Sequence, residues 1–177
     1  MSGALFPGNL LASASALLEL CRARSLKIAT AESCTGGLVA GLLTEIAGSS
    51  DVVERGFVTY SNDAKRELIG VRAETLAAHG AVSEETAREM AQGALDHSRA
   101  NIAVSITGVA GPGGGSEAKP VGLVHFACYG PRERRIAVER RFGDLGRGPI
   151  RLAAVEQALA LLAEAARSEA GTTLNSD

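Results

Sequence analysis

The stretch from Leu26 to Ala47 constrains the fold more than any other part of the chain. An apolar run over Leu26–Glu32 predicts a buried β-strand, and it stops at the small polar turn Ser33-Cys34-Thr35-Gly36-Gly37. The apolar spacing that follows predicts a helix over Thr35–Ala47. A strand that ends in such a turn exposes hydroxyl and backbone N–H groups at the helix N-terminus. The turn is therefore an anion site, or a serine nucleophile beside donors for an oxyanion, with a plain helix cap as the simpler alternative.

The rest of the chain continues this alternation of strand and helix. Periodicity and turn residues predict helices over 9–24, 61–70, 73–79, 83–99 and 147–169, and strands over 52–60, 102–107, 121–129 and 134–142. A Gly-Pro turn between the last two strands predicts an antiparallel hairpin. We therefore predict an α/β fold, a three-layer α/β/α sandwich with a mixed β-sheet. One domain is expected over 1–177, with a core over about 9–166 and a disordered tail over 171–177.

Composition narrows the class of function. The net charge of −2 and an aromatic content of 3% argue against a surface that stacks on or attracts nucleic acid. The three scattered cysteines form no C-x-x-C pair, which argues for reduced thiols and against a metal site or a disulfide framework. No leader or membrane-spanning pattern is present. We expect a cytoplasmic protein without a metal site that contacts neither nucleic acid nor membrane.

A serine nucleophile at Ser33 needs a base to accept its proton. Histidine is the usual base, but His79 ends a helix, His97 lies on a surface helix and His125 lies within a strand. None of them is placed at a strand–loop junction beside a carboxylate, so a Ser-His-Asp triad is not favoured.

Lys65 is a better candidate for the base. It follows the strand end at Tyr60 by about one helical turn, so a second strand-to-helix junction carries polar groups. A lysine base must be neutral, which requires a lowered pKa through burial or a nearby cation. Tyr60 could orient or relay the proton. The alternatives are a solvated lysine and an aromatic ring that covers the core.

A glycine-rich loop follows the most apolar strand, at Thr107-Gly108-Val109-Ala110-Gly111-Pro112 and onward to Ser116. Such a loop at a strand C-terminus could surround phosphate or ribose. It lacks both the G-K-[S/T] of a P-loop and the dinucleotide fingerprint. A flexible turn is the alternative for Gly113–Gly115.

Arg147 and Arg151 are one helical turn apart at the start of the last helix. Two guanidinium groups on one helix face can bind a phosphate bidentately. A solvated basic face is the equally simple alternative.

Several separated motifs resemble those of the CinA C-terminal domain family, over roughly residues 9–166. They are Ala31–Gly37, Gly56–Asn62 with Lys65, Gly80–Glu84, Thr107–Pro112 and Lys119–Gly122. The resemblance suggests the stand-alone form of this domain. One departure is present in the last motif, where the family joins Gly-Asp directly to the first arginine. Here Leu145-Gly146 separates Gly143-Asp144 from Arg147.

The resemblance implies hydrolysis of a small molecule, nicotinamide mononucleotide, to nicotinic acid mononucleotide and ammonia. We expect this reaction to need no cofactor and the protein to be a homo-oligomer. The resemblance also implies Ser33 as nucleophile, Lys65 as base and Tyr60 as a catalytic partner. The substrate-binding residues expected with them are Thr35, Gly36, Gly37, Asn62, Thr107, Gly108, Gly111, Arg147 and Arg151. Two other functions remain open: nucleotide binding without turnover, and a protein-interaction role linked to competence or DNA damage.

Overall fold

The computed structural model describes residues 5–167, and the expected tail at 171–177 lies outside them. Within this range the helices are α1 (Gly8–Ala23), α2 (Leu38–Glu45), α3 (Asn62–Ile69), α4 (Ala73–His79), α5 (Glu84–Asp96) and α6 (Arg147–Arg167). The strands are β1 (Ile28–Glu32), β2 (Val53–Val58), β3 (Ile102–Gly108), β4 (Leu123–Tyr129) and β5 (Arg135–Arg141). A short 3-10 turn, Ser49–Asp51, precedes β2.

The five strands form one mixed sheet in the order β2-β1-β3-β4-β5. Strand β1 pairs in parallel with β2 and β3, whereas β4 is antiparallel to both β3 and β5. The predicted hairpin is therefore confirmed as β4–β5. The carboxyl ends of β1, β2 and β3 meet at one edge of the sheet, because Glu32 is in register with Val58 and with Ile106.

Helices cover both faces of the sheet. The larger core lies between one face and helices α1, α2 and α6, and it takes Ile28 from β1 and Val104 from β3. The opposite face contributes Ala29 and Ala103 to a second cluster with residues of α3 and α5. Large and small apolar residues thus alternate along the strands with the two-residue period of a β-strand. The prediction of a three-layer α/β/α sandwich is confirmed.

The main difference from the predicted elements is the start of α2. The helix begins at Leu38 and not at Thr35. Gly36 and Gly37 have φ angles of +57° and +95°, a left-handed conformation that favours glycine and is incompatible with a right-handed helix. Residues 33–37, called the Ser33 turn below, are therefore an irregular connection between β1 and α2.

Candidate active site

Three connections at the carboxyl edge of the sheet surround one cavity of about 300 Å³. It is lined by seven of the residues expected from the sequence: Ser33, Tyr60, Lys65, Thr107, Gly108, Gly111 and Arg147. Cys34, Ala81, Val82 and Ala110 are among the further lining residues, which sequence reasoning did not single out. The cavity lies where ligands bind in open α/β sheets, outside the carboxyl ends of the parallel strands.

Lys65 contacts Ser33 directly. Its Nζ atom lies 3.0 Å from Ser33 Oγ and donates a 2.7 Å hydrogen bond to the main-chain oxygen of Thr59. The lysine lies on α3, whose first turn is capped by Ser61, and its side chain is only 1% exposed. Lys65 and Ile69 share the buried face of this helix, as residues four apart do. Lys65 is therefore not the solvated lysine of the alternative interpretation.

The burial of Lys65 changes its protonation. Desolvation lowers the pKa of Lys65 from 10.5 to about 8, because an apolar environment disfavours the charged form. At pH 7 about a tenth of the molecules would then carry the neutral amine. The geometry and the lowered pKa together place a candidate base at hydrogen-bonding distance from Ser33.

Tyr60 and Arg147 meet at the opening of the cavity. The Tyr60 side chain is 61% exposed, so it does not cover the core. Its phenol oxygen accepts a 3.1 Å hydrogen bond from Arg147 Nη2, and Arg147 Nη1 donates to the Gly111 oxygen at 2.8 Å. Arg147 thereby links the end of β2 to the glycine-rich loop. Between residues 5 and 167, no hydrogen bond joins Tyr60 to Ser33 or Lys65.

The N–H groups of Gly36 and Gly37 are not free donors, which corrects an expectation from the sequence. Gly36 N–H donates to the Ser33 oxygen at 3.0 Å, and Gly37 N–H donates to Glu32 Oε2 at 3.1 Å. Neither glycine lines the cavity. Within the described chain, the N–H groups of Cys34 and Thr35 donate to no protein acceptor. Of these two residues Cys34 lines the cavity and Thr35 does not, so the donor available beside Ser33 is the N–H group of Cys34.

Glu32 is a site residue that sequence reasoning missed. Its fully buried carboxylate accepts hydrogen bonds from the N–H groups of Gly37, Val39 and Ala40 and from the Thr30 hydroxyl. A carboxylate at this point satisfies unpaired donors of the first helical turn and complements the helix dipole. The N–H groups at the start of α2 are therefore bound by the Glu32 carboxylate and are not available to an external anion. A charged residue at the end of an apolar strand was the available signal.

Arg147 lines the cavity and Arg151 does not, so the two arginines do not face the cavity together as expected from the sequence. The Arg151 guanidinium donates to the main-chain oxygens of Cys34 and Thr35, each at 3.1 Å. Asn62 and Thr35 also lie outside the cavity lining, Asn62 exposed and Thr35 fully buried. Asp144, whose position in the last motif departs from the family pattern, is exposed and accepts from Gly146 N–H at 3.3 Å.

The Thr107–Pro112 motif forms part of the cavity wall, and its threonine hydroxyl is already used in a hydrogen bond within the protein. The buried Thr107 hydroxyl donates to the Ala81 oxygen at 2.7 Å, which fixes the α4–α5 connection against β3. A Cβ atom at Gly108 would lie 2.7 Å from the Leu123 oxygen, so the backbone approach at Gly108 requires glycine. Gly111 has a φ angle of +75°, a left-handed conformation that favours glycine.

The other candidate nucleophile and bases are less suitable. Cys34 lines the cavity, but burial raises the pKa of its thiol to about 11, so the reactive thiolate is scarce. His79 and His125 do lie beside carboxylates, at 3.5 Å from Glu85 and 3.8 Å from Glu139, which differs from the expectation. No histidine among residues 5–167 lines the cavity. Ser33 and Lys65 therefore remain the candidate nucleophile and base of this cavity.

The structure from Leu5 to Arg167 holds no group of three or more His, Cys, Asp or Glu residues arranged to bind a metal ion. In that same part of the chain, every helix is too short or too polar to cross a membrane.

Curated relatives share much of this sequence. A CinA-like protein of Chloroherpeton thalassium is 66% identical over 112 residues, which are 63% of this chain and 26% of that protein. Nicotinamide-nucleotide amidohydrolase PncC of Escherichia coli K12 is 57% identical over 145 residues, which are 81% of this chain and 87% of that enzyme. The chain thus spans about a quarter of the first relative and most of the second.

Solved structures and a family model agree with these relatives. The competence/damage inducible protein CihA of Agrobacterium tumefaciens superposes with a TM-score of 0.89 at 57% identity, over 90% of this chain and 97% of that chain. A CinA superfamily protein of Escherichia coli superposes at 0.83 with 33% identity, over 90% of this chain and 92% of that chain. The model described as "CinA C-terminal domain" matches residues 11–166. The resemblance found in the sequence motifs is thereby confirmed, and the chain belongs to the CinA C-terminal domain family.

Proposed function

We propose that this protein hydrolyses the carboxamide of nicotinamide mononucleotide and releases ammonia and nicotinic acid mononucleotide. The observation that carries the proposal is the 3.0 Å contact between Lys65 Nζ and Ser33 Oγ inside a cavity. The name of the Escherichia coli relative, nicotinamide-nucleotide amidohydrolase, supports the substrate. A serine with an adjacent base is a recurrent arrangement for acyl transfer from an amide.

In the first half of the reaction, neutral Lys65 accepts the proton of Ser33 Oγ. The oxygen attacks the carboxamide carbon and forms a tetrahedral intermediate with a negative oxygen. When the C–N bond breaks, Lys65 returns the proton to the leaving nitrogen, and ammonia departs from an acyl-enzyme. In the second half, water attacks the ester carbonyl, Lys65 accepts a proton from that water, and the proton returns to Ser33 Oγ as the acid is released.

The oxyanion of the intermediate needs hydrogen-bond donors. The N–H group of Cys34 suits this role, because Cys34 lines the cavity and within residues 5–167 its N–H has no other acceptor. The residue that follows a serine nucleophile supplies such a donor in many hydrolases. This replaces the assignment to Gly36 and Gly37, whose N–H groups are already used.

Arg147 is the proposed ligand of the substrate phosphate. Arg147 lines the cavity, and the bonds to Gly111 and Tyr60 use two of the five N–H donors of its guanidinium. Charge-assisted bonds from arginine to phosphate are among the strong hydrogen bonds in proteins. Tyr60 holds this guanidinium and, with it, the phosphate end of the substrate.

The test is ammonia release from nicotinamide mononucleotide by the purified wild type and by Ser33→Ala and Lys65→Met proteins. Both variants are expected to lose activity while circular dichroism shows a folded chain. The matched control is Lys27→Met, an exposed lysine at the opposite end of β1. If the wild type binds the nucleotide in calorimetry but releases no ammonia, the protein is a binding module and the proposal is wrong.

A further inference from the structure

Two charged side chains bind the backbone of the Ser33 turn, one through its N–H groups and the other through its carbonyl groups. The Glu32 carboxylate accepts from N–H groups at the end of the turn, and the Arg151 guanidinium donates to carbonyl groups in its middle. Neither side chain lines the cavity. Both are thus placed to fix the conformation of the turn and not to contact a substrate.

Both carboxylate oxygens of the buried Glu32 side chain accept hydrogen bonds. Oε2 accepts from Gly37 N–H at 3.1 Å and Val39 N–H at 3.0 Å, and Oε1 accepts from Ala40 N–H at 2.9 Å. The Thr30 hydroxyl also lies 3.2 Å from Oε1. Because the side chain is fully buried, each of these donors would be left unsatisfied if the carboxylate were removed. The start of α2 is thereby tied to the last residue of β1.

The Arg151 contacts act on the residues immediately after the nucleophile. Nε donates to the Cys34 oxygen and Nη2 donates to the Thr35 oxygen, so one rigid guanidinium spans two successive carbonyls. A Cβ atom at Gly36 would lie 3.4 Å from Nη2, which shows how closely the guanidinium packs on the turn. Lysine has a single ammonium group and cannot reproduce this planar two-point contact.

We infer that Glu32 and Arg151 are positioning residues for Ser33 and for the N–H group of Cys34. Glu32 binds the later N–H groups of the turn and Arg151 binds its carbonyls, and within residues 5–167 the N–H of Cys34, a residue that lines the cavity, keeps no acceptor. This inference rests on the proposed function, because it assigns that donor to an oxyanion. It also removes Arg151 from the phosphate-binding residues expected from the sequence.

The first experiment separates a positioning role from a phosphate-binding role for Arg151. Arg151→Gln is expected to lower kcat for nicotinamide mononucleotide about 100-fold, the scale of an active-site displacement of about 1 Å, and to leave KM unchanged. Arg151→Lys is expected to recover only part of kcat. An increase in KM at unchanged kcat would identify Arg151 as a substrate ligand and overturn the inference.

The second experiment does not depend on the substrate. The rate at which phenylmethanesulfonyl fluoride modifies Ser33 is followed by mass spectrometry in the wild type, Arg151→Gln and Glu32→Gln. Both variants are expected to react more slowly, and the pH at half-maximal rate is expected to stay at about 8, because Lys65 remains in place. Leu18→Ala, a buried change in α1 away from the cavity, serves as the stability control and is expected to react at the wild-type rate.

The two readouts keep the inference separate from the proposed function. If wild type releases no ammonia but its Ser33 is modified faster than in both variants, the function is wrong and the positioning role stands. If Glu32→Gln does not fold, Arg151→Gln decides the question. Arg151 is half-buried, and α6 is held by its apolar side chains, which pack in the core without Arg151. Wild-type kcat and wild-type modification rate in Arg151→Gln would overturn the inference.

Discussion

The Nζ atom of Lys65 lies 3.0 Å from the Oγ atom of Ser33, although 32 positions separate the two residues in the chain. The contact depends on the sheet, because β1 and β2 are parallel neighbours and both end at the same edge. It also depends on α3, which begins right after β2 and directs one lysine into the protein. The same burial that brings the amine to the serine lowers its pKa to about 8.

The rate of ammonia release is expected to rise with pH, with a midpoint of about 8. The neutral lysine is the active form, so its fraction grows from about a tenth at pH 7 to about nine tenths at pH 9. The measurement is kcat/KM for nicotinamide mononucleotide between pH 6 and 9.5. A profile that is flat or falls over this range would exclude Lys65 as the base.

Stability is expected to depend on the same titration. Between pH 8 and 10.5 the unfolded chain keeps the Lys65 proton while the folded chain has released it, so the free energy of unfolding rises with pH. Over pH 7–9 this contribution amounts to about 1 kcal/mol. Urea unfolding of wild type and Lys65→Met at pH 7, 8 and 9 tests it. The wild type is expected to gain stability relative to the variant as pH rises, and parallel curves would contradict the lowered pKa.

Much of the site could be predicted because it follows from periodicity and topology. Ser33 and Thr107 come at the ends of apolar runs, and parallel strands bring such ends to one edge. Lys65 could be proposed because it follows the next strand end by a short helical step. Most element boundaries were predictable to within two residues for the same reason. The start of α2, where the conformations of Gly36 and Gly37 decided, and the end of α5, at Asp96 and not at Arg99, each differ by three residues.

The roles of the long side chains could not be predicted in the same way. Arg147 and Arg151 are equivalent by helical spacing, yet Arg147 donates to Tyr60 and Arg151 donates to carbonyls of the Ser33 turn. A guanidinium on a flexible stem can reach several partners, and only the packed backbone selects among them. The carboxylate of Glu32 illustrates the reverse case, since its charge in an apolar strand was visible but its three N–H partners depended on the turn.

Replacement of Arg147 by glutamine is expected to raise KM for nicotinamide mononucleotide. Losing a charge-assisted hydrogen bond costs about 1.5–3 kcal/mol, which corresponds to an increase of about 10- to 100-fold. Nicotinamide riboside, which lacks the phosphate, provides the matched substrate, and its kcat/KM is expected to be the same in both proteins. An equal loss for the two substrates would assign Arg147 to the reaction and not to the phosphate.

Tyr60→Phe is expected to produce a smaller increase in KM for the phosphorylated substrate, because it removes only the 3.1 Å contact that holds Arg147 Nη2. A net hydrogen bond of this kind contributes about 1 kcal/mol, which corresponds to about a fivefold change. The double variant with Arg147→Gln is expected to match Arg147→Gln alone, since both changes act on one interaction. A large fall in kcat for Tyr60→Phe would instead place the phenol in proton transfer.

The packing of α5 against α3 gives a last prediction that links stability to the site. A Cβ atom at Gly93 would lie 1.8 Å from the Ile69 oxygen, so Gly93→Ala must displace the end of the helix that carries Lys65. Overpacking of this kind costs about 1–3 kcal/mol, measured by urea unfolding. In the folded fraction kcat is also expected to fall, because Lys65 moves relative to Ser33. Gly8→Ala, with nothing within 4 Å of the added Cβ atom and at the start of α1, is the control and is expected to lose no stability relative to the wild type. Wild-type stability and kcat in Gly93→Ala would mean that the separation of these helices does not set the Lys65–Ser33 distance.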